Sequence, residues 1–405
     1  MRRPIAMPPL ADPLPILPAR GPLDAVVGIP GSKSLTNRAL ILAALSNGVT
    51  RLEGALWAED TRWMVEGLRR LGFKIEEQPD PLNGCNRILC VEGRGGKVPA
   101  REAELFVGTA GTAARFLAAL CALGEGRFRL DGTPRMRERP MQEVFDALRR
   151  LGAEIRDTEG RLPAEIRGPL RAGRVRVDDR ESSQFASALL LVARRAEVEV
   201  EAPSSPYIEM TRELVRAWNW EGGSYDVEPD ASSAGYFLAL RHLLGGRLEI
   251  ARWPSTSLQV DHRLPTFLPP PAAISRKGDL GDSVMTLAIV AAALRRPLHL
   301  RDAGNLRRQE CDRLAALAAE LAKCGVPARE EPEGLVLAPA KAFRPAVIET
   351  YRDHRIAMCF AVLGSVDVQS DGRPWIRLRD PRCVDKTFPN FFETLETAMG
   401  RGVRT

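Results

Sequence analysis

One kind of segment recurs along the chain: a small polar residue, a stretch of alanine and leucine, a turn, and a short run in which apolar and polar residues alternate. Six copies can be read: SLTNRALILAALSNGVTRLEG from Ser34, GTAARFLAALCALGEGRFRLDG from Gly111, SSQFASALLLVARRAEVEVEA from Ser182, SSAGYFLALRHLLGGRLEIA from Ser232, DSVMTLAIVAAALRRPLHLRD from Asp282, and DHRIAMCFAVLGS from Asp353, leading to WIRLRD. Each predicted helix is apolar nearly all round, which places it inside a domain, since a surface helix keeps a polar face. A second helix follows in most copies, as in DTRWMVEGLRRLGFKIE, MQEVFDALRRLGAEI, YIEMTRELVRAWN, DRLAALAAELAKCGV and KTFPNFFETLETA. There, apolar residues at i, i+3, i+4 and i+7 with charges opposite predict amphipathic surface helices. Short strands such as RILCVEG and AEIRG close the unit.

Each unit therefore reads as buried helix, strand, surface helix and one or two further strands, and three such units would make one α/β domain. The third and fourth units are shorter than their neighbours. In the third, the surface helix runs out at AWNWEGGSYDVEPD, without room for the usual strands. In the fourth, HRLPTFLPPPAAISRKGD carries prolines that forbid a regular helix.

Length agrees with this organisation, because 405 residues exceed one ordinary core and two domains are expected. An apolar fraction of 44% and a charged fraction of 27% belong to a globular chain. The longest apolar runs, Ala39 to Leu45 and Ala186 to Ala193, fall short of the roughly 18 residues that span a bilayer. The N-terminal MRRPIAMPPLADPLPILPARG is broken by prolines, so it reads as a loosely attached arm instead of a secretion signal. Cysteines 85, 90, 121, 311, 324, 359 and 383 form no CxxC pair and no metal-spaced cluster with histidine, as expected of reduced thiols in a cytoplasm. The net charge of +6 is modest over this length, and no lysine-arginine run exceeds two residues, so small anionic substrates fit better than nucleic acid.

Helix N-termini present free N–H groups and a positive dipole end to anions. Gly31-Ser32-Lys33-Ser34, with Arg38 a turn later, opens the first buried helix, Thr109-Ala110-Gly111-Thr112 the second, and Ser182-Ser183-Gln184 the third. Any one of these alone is an ordinary cap.

In order, GSKSLTNRALILAAL, VGTAGTAARF, RMRERP, SSQF, DASSAGYF, QECDRL, DHRIAMCF and DKTFPNFF resemble the motifs of the 5-enolpyruvylshikimate-3-phosphate synthases, from about Val26 to Ala398. The resemblance implies a two-lobed α/β enolpyruvyl transferase fold of six βαβαββ-type repeats, here with the third and fourth shortened. The chain would begin in one lobe, build the other and return, giving residues 1–32 with 230–405, and 33–229, around an interlobe active site. It implies transfer of the enolpyruvyl group of phosphoenolpyruvate to the 5-hydroxyl of shikimate 3-phosphate, with release of phosphate. The implied protein is a cytoplasmic monomer with two small-molecule substrates, no metal or organic cofactor, and neither nucleic acid nor membrane as partner.

By the same resemblance, Lys33, Ser34, Arg38, Ser182, Ser183, Gln184, Ser204, Tyr207, Asp282, Asn305 and Gln309 would hold shikimate 3-phosphate. Lys33, Gly111, Arg135, Gln184, Arg313, Arg355 and Lys386 would hold phosphoenolpyruvate. Asp282 would be the base, Glu310 the proton donor, and Lys33 would stabilise charge at the enolpyruvyl oxygen, with His354 a structural hydrogen-bond partner. Four positions depart from the family pattern: Gln309 and Ser205 stand where lysines are usual, Thr109 where asparagine is, and Phe116 where proline is frequent. Arg307 or Arg308 would be the compensating charge for Gln309. Two alternatives stay open: a weakened or non-catalytic relative that binds ligand without releasing phosphate, and the related transferase acting on UDP-N-acetylglucosamine. The latter commonly carries a cysteine on the loop that reads TPRMRERP here, which has none. The retained Gly111 is the feature expected to favour sensitivity to glyphosate.

Overall fold

The computed structural model describes residues 10–178 and 180–401. All six apolar segments are helices sunk in the interior, at Lys33–Leu45, Gly111–Leu123, Ser183–Ala196, Ala231–Leu244, Val284–Ala293 and His354–Gly364. In Lys33–Leu45 every residue from Leu35 onward is buried, the only stable placement for a helix with no polar stripe. The amphipathic helices lie outside them, at Glu59–Arg70, Gln142–Arg150, Pro206–Ala217, Arg313–Lys323 and Phe391–Ala398.

Parallel strand pairs accompany the buried helices. They join Gly223–Asp226 to Val49–Leu56, Glu102–Phe106 to Arg127–Asp131, Gly173–Arg176 to Val198–Glu201, Leu23–Val27 to Gly246–Ile250, Ala273–Ser275 to Leu298–Arg301, and Ala346–Ile348 to Ile376–Leu378. The first, second and fifth of these sheets each add an antiparallel hairpin and reach four strands in the same order. The third and fourth keep two strands each.

Two expectations change, and the one for the proline-rich link is refined. AWNWEGGSYDVEPD does contain a strand, Gly223–Asp226, but it pairs with Val49–Leu56 in the first unit's sheet. The proline-rich link forms a 3-10 helix, Val260–Phe267, whose Pro265 is incompatible with continued α-helical hydrogen bonding. The N-terminal arm is not loose throughout: Leu14–Ile16 pairs antiparallel with Ile376–Leu378, and Ile16 is buried where a Cβ on Gly364 would meet it. Residues 1–9 of that arm lie outside the described residues.

Two hydrophobic cores result. One gathers buried side chains between Leu35 and Val227, the other those of Ile16 to Ile29 together with Ala234 to Ala398. The chain crosses between them twice, at segments that run side by side and are joined by a bridge between Gly31 and Pro229. Only glycine fits at position 31, since a Cβ there would lie 1.9 Å from the Gly54 carbonyl oxygen. Among the described residues, no helix is long and apolar enough to cross a membrane.

Candidate active site

The N-termini of buried helices from both cores converge where the halves meet. Lys33, Ser34, Arg38, Gly111, Ser182, Ser183, Gln184, Tyr207, Asp282, Asn305, Gln309, Glu310, Arg313 and Arg355 line one cavity of about 110 Å³. Lys386 reaches the same place from the far side, with its Nζ 3.2 Å from Asp60 and 3.5 Å from Glu310.

Charges in this cavity are paired across it. Lys33 Nζ lies 3.0 Å from Asp60. Arg313, 1% exposed, holds Asp353 at 2.7 Å through Nε and Glu310 at 2.7 Å through Nη2. Asp282 has three arginine partners: Arg276 at 2.8 Å, Arg355 at 3.0 Å and Arg313 at 3.7 Å. Burial alone would raise the Asp282 pKa, but Arg355, Arg276 and Arg313 outweigh it and hold the carboxyl well below the usual range. Glu310 behaves alike: burial pushes it up, while Arg313, Lys386 and Arg139 pull it further down. Asp282 is not the cap of its helix; Ser283 occupies that position, which frees the Asp282 carboxylate for the arginines.

Arg38 differs, because it is 2% exposed and its partners are neutral: Thr211 Oγ1 at 2.8 Å, the Ser34 carbonyl at 3.0 Å and Ser187 Oγ at 3.2 Å. Burial pushes its pKa down to about 10, leaving it a cation at neutral pH. Its guanidinium stands 5.3 Å from the ring centroid of Phe116, so the phenylalanine found in place of proline backs this arginine. Thr109, the other small departure, accepts a 2.6 Å hydrogen bond from Lys386 Nζ.

Two predicted residues lie elsewhere. Ser204 is exposed and donates to Glu209, because it precedes the first turn of Pro206–Ala217 and turns outward; the buried neighbour is Ser205. Arg135 clamps the two halves from outside the cavity, donating to the backbone carbonyls of Gln309 and Glu310. The arginine of RMRERP that does line the cavity is Arg139, which donates to the Thr109 carbonyl and the Gln309 side chain. Arg307 pairs with Asp312 and Glu330, and Arg308 with Glu181, so neither supplies charge beside Gln309. His354 is buried with both ring nitrogens unpartnered, contrary to a hydrogen-bonding role, and burial drives its pKa well below the usual value.

Asp60, Arg139 and Arg276 were not singled out in the sequence. Asp60 reads there as an ordinary first-turn acid of an amphipathic helix. RMRERP did contain the signal for Arg139, one turn beyond Arg135.

The sequence profile described as EPSP synthase (3-phosphoshikimate 1-carboxyvinyltransferase) matches residues 17–266 and 278–395. A 3-phosphoshikimate 1-carboxyvinyltransferase of Opitutus terrae is 42% identical, with 96% of this chain and 98% of the relative covered. That of Trichormus variabilis is 36% identical, covering 94% and 97%. Among solved structures, an EPSP synthase from Acinetobacter baumannii superposes with a TM-score of 0.72 at 22% identity, covering 95% of this chain and 97% of that one, a likeness of fold.

Proposed function

The chain belongs to the EPSP synthase family, and from that premise we propose that its central cavity transfers the enolpyruvyl group of phosphoenolpyruvate to the 5-hydroxyl of shikimate 3-phosphate, releasing phosphate. The observation that carries the reading is the gathering of Lys33, Arg38, Arg313, Arg355 and Lys386 around two partly buried carboxylates, Asp282 and Glu310, from both cores. Arg38 in particular is a buried cation with no carboxylate partner among the described residues, a costly arrangement that an anionic ligand relieves. The cores support the division of residues 1–32 and 230–405 from 33–229 as two lobes.

In this reading Arg38, Ser34, Ser182, Ser183, Tyr207 and Asn305 seat shikimate 3-phosphate with its 5-hydroxyl at Asp282. Lys33, Arg313, Arg355 and Lys386 hold the carboxylate and phosphate of phosphoenolpyruvate, where arginine forks fit bidentately. Asp282 takes the hydroxyl proton as the oxygen bonds to the enol carbon, and Glu310 gives a proton to the methylene. Glu310 then takes a proton back from the resulting methyl group as the bond between the former enol carbon and the phosphate oxygen breaks, which expels phosphate and restores the double bond. The test is phosphate release by purified protein, expected only when both substrates are present; a folded protein that binds both and releases none would identify the non-catalytic relative.

Gly111 supplies a second prediction. A Cβ there would lie 2.3 Å from Arg115 Nη1 and 2.7 Å from Arg139 Nη2, so Gly111→Ala must displace guanidinium groups from the cavity wall. Because these are the free ends of flexible side chains the fold itself gives way easily, but moving Arg139 reshapes the cavity wall, so KM for phosphoenolpyruvate is expected to rise on the order of tenfold while KM for shikimate 3-phosphate stays nearly constant.

A further inference from the structure

Beside the main cavity lies a side chamber of about 350 Å³ that shares Ser183, Tyr207, Arg276 and Asn305 with it and adds Ser205. Three polar atoms in its wall are buried without a partner: Ser205 Oγ, Asn305 Oδ1 and Arg276 Nε. Ser205 is 9% exposed, and the Arg276 side chain 11%. Buried polar atoms left unmatched in a folded protein call for a ligand to complete them. A hydroxyl and a guanidinium N–H are donors, and an amide can turn its NH2 inward, so the missing partner is an acceptor bearing negative charge.

Arg276 is the cation placed to meet it. Its Nη2 is held by Asp282 at 2.8 Å, which fixes the guanidinium plane, while its Nε is buried without a partner. Arg180 and Lys277, also in the wall, are both exposed, and Arg180 pairs with Asp178, while Asp302 and Glu333 bring negative charge to the same chamber. Positions 205 and 309 are neutral here, and Arg276 lies in the stretch between the two segments that match the family profile.

We propose that Arg276, with Ser205 and Asn305, binds the phosphate group of shikimate 3-phosphate, so that this chain takes its phosphate-binding charge from the link before Asp282. The proposal rests on the functional reading above and adds a residue that also contacts the base. It makes Arg276 both a ligand-binding residue and the group that ties phosphate occupancy to Asp282.

Calorimetric titration tests it without turnover, using shikimate 3-phosphate and, as the probe lacking phosphate, shikimate. For Arg276→Gln, affinity for shikimate 3-phosphate is expected to fall about 10–100-fold, the range for a charge-assisted hydrogen bond, with shikimate affinity unchanged. Arg276→Lys should retain most of the affinity, and Gln309→Lys added to Arg276→Gln should restore part of it. Equal losses for both ligands, or no loss for shikimate 3-phosphate, would overturn the assignment. Should the unaltered protein fail to bind shikimate 3-phosphate, it is the functional reading that fails, and the two outcomes are distinct. Melting curves confirm that the variants are folded, which is expected because Asp282 keeps Arg313 and Arg355.

Discussion

Asp282→Asn is expected to lower kcat by roughly 10²–10⁴-fold, the loss typical of removing a positioned base, while shikimate 3-phosphate still binds. Asparagine preserves the shape but keeps only one acceptor oxygen, which can serve Arg276 or Arg355 and not both, so it is the retained binding of shikimate 3-phosphate that shows a fall in phosphate release to report proton transfer and not collapse of the site. The pH profile adds a second readout. The Asp282 carboxyl is depressed in the free protein, so the basic form persists down to low pH and is lost only as pH falls through its folded pKa. The acid limb of kcat/KM assigned to it therefore lies below about pH 4, the range of an unperturbed aspartate, and is absent in Asp282→Asn. A variant with unchanged kcat would remove Asp282 from the mechanism.

A carboxylate held so firmly by three arginines is a weak base, and Glu310, likewise kept ionised, carries no proton to give. In the proposed reaction, an exchange of partners on substrate binding would resolve this. The cavity's cations are neutralised by its own acids: Lys33 and Lys386 by Asp60, Arg313 by Glu310 and Asp353, Arg355 by Asp282. Phosphate and carboxylate groups arriving at those cations take over part of that role. Each acid then loses attraction for its charged form, and its pKa moves up toward the value useful for proton transfer. Substrate binding in this way both fills the site and tunes it.

The buried helices were legible because a helix without a polar face has one stable environment, and the motif residues sit at helix starts whose direction the sheets fix. Strand partners were less legible. Gly223–Asp226 and Leu14–Ile16 are short and pair with strands remote in sequence, and a run of three or four residues carries no mark of its partner. At the site, backbone-anchored positions such as Gly111 and Ser182 could be placed from the chain alone. Long arginine side chains could not: Arg135 and Arg139 share one motif, yet only the second turns into the cavity. The role of Arg276 was hidden in a proline-rich link with no periodicity to read.

Arg313→Ala is expected to destabilise the fold by about 3–5 kcal/mol, because it leaves the wholly buried Asp353 without its arginine and takes one cation each from Glu310, which keeps Lys386, and Asp282, which keeps Arg276 and Arg355. Asp353 is wholly buried and Glu310 nearly so, which denies both the solvent that would soften the loss. For a half-chain of this size the change corresponds to a Tm lowered on the order of 10 °C. Arg308→Ala is the matched control, since its pair with Glu181 is exposed on both sides and exposed pairs contribute about 0–1 kcal/mol. Thermal unfolding followed by circular dichroism decides between them. If the two variants melt alike, the buried network does not hold the halves of the site together, and the loss of phosphoenolpyruvate binding expected for Arg313→Ala would reflect a missing contact alone.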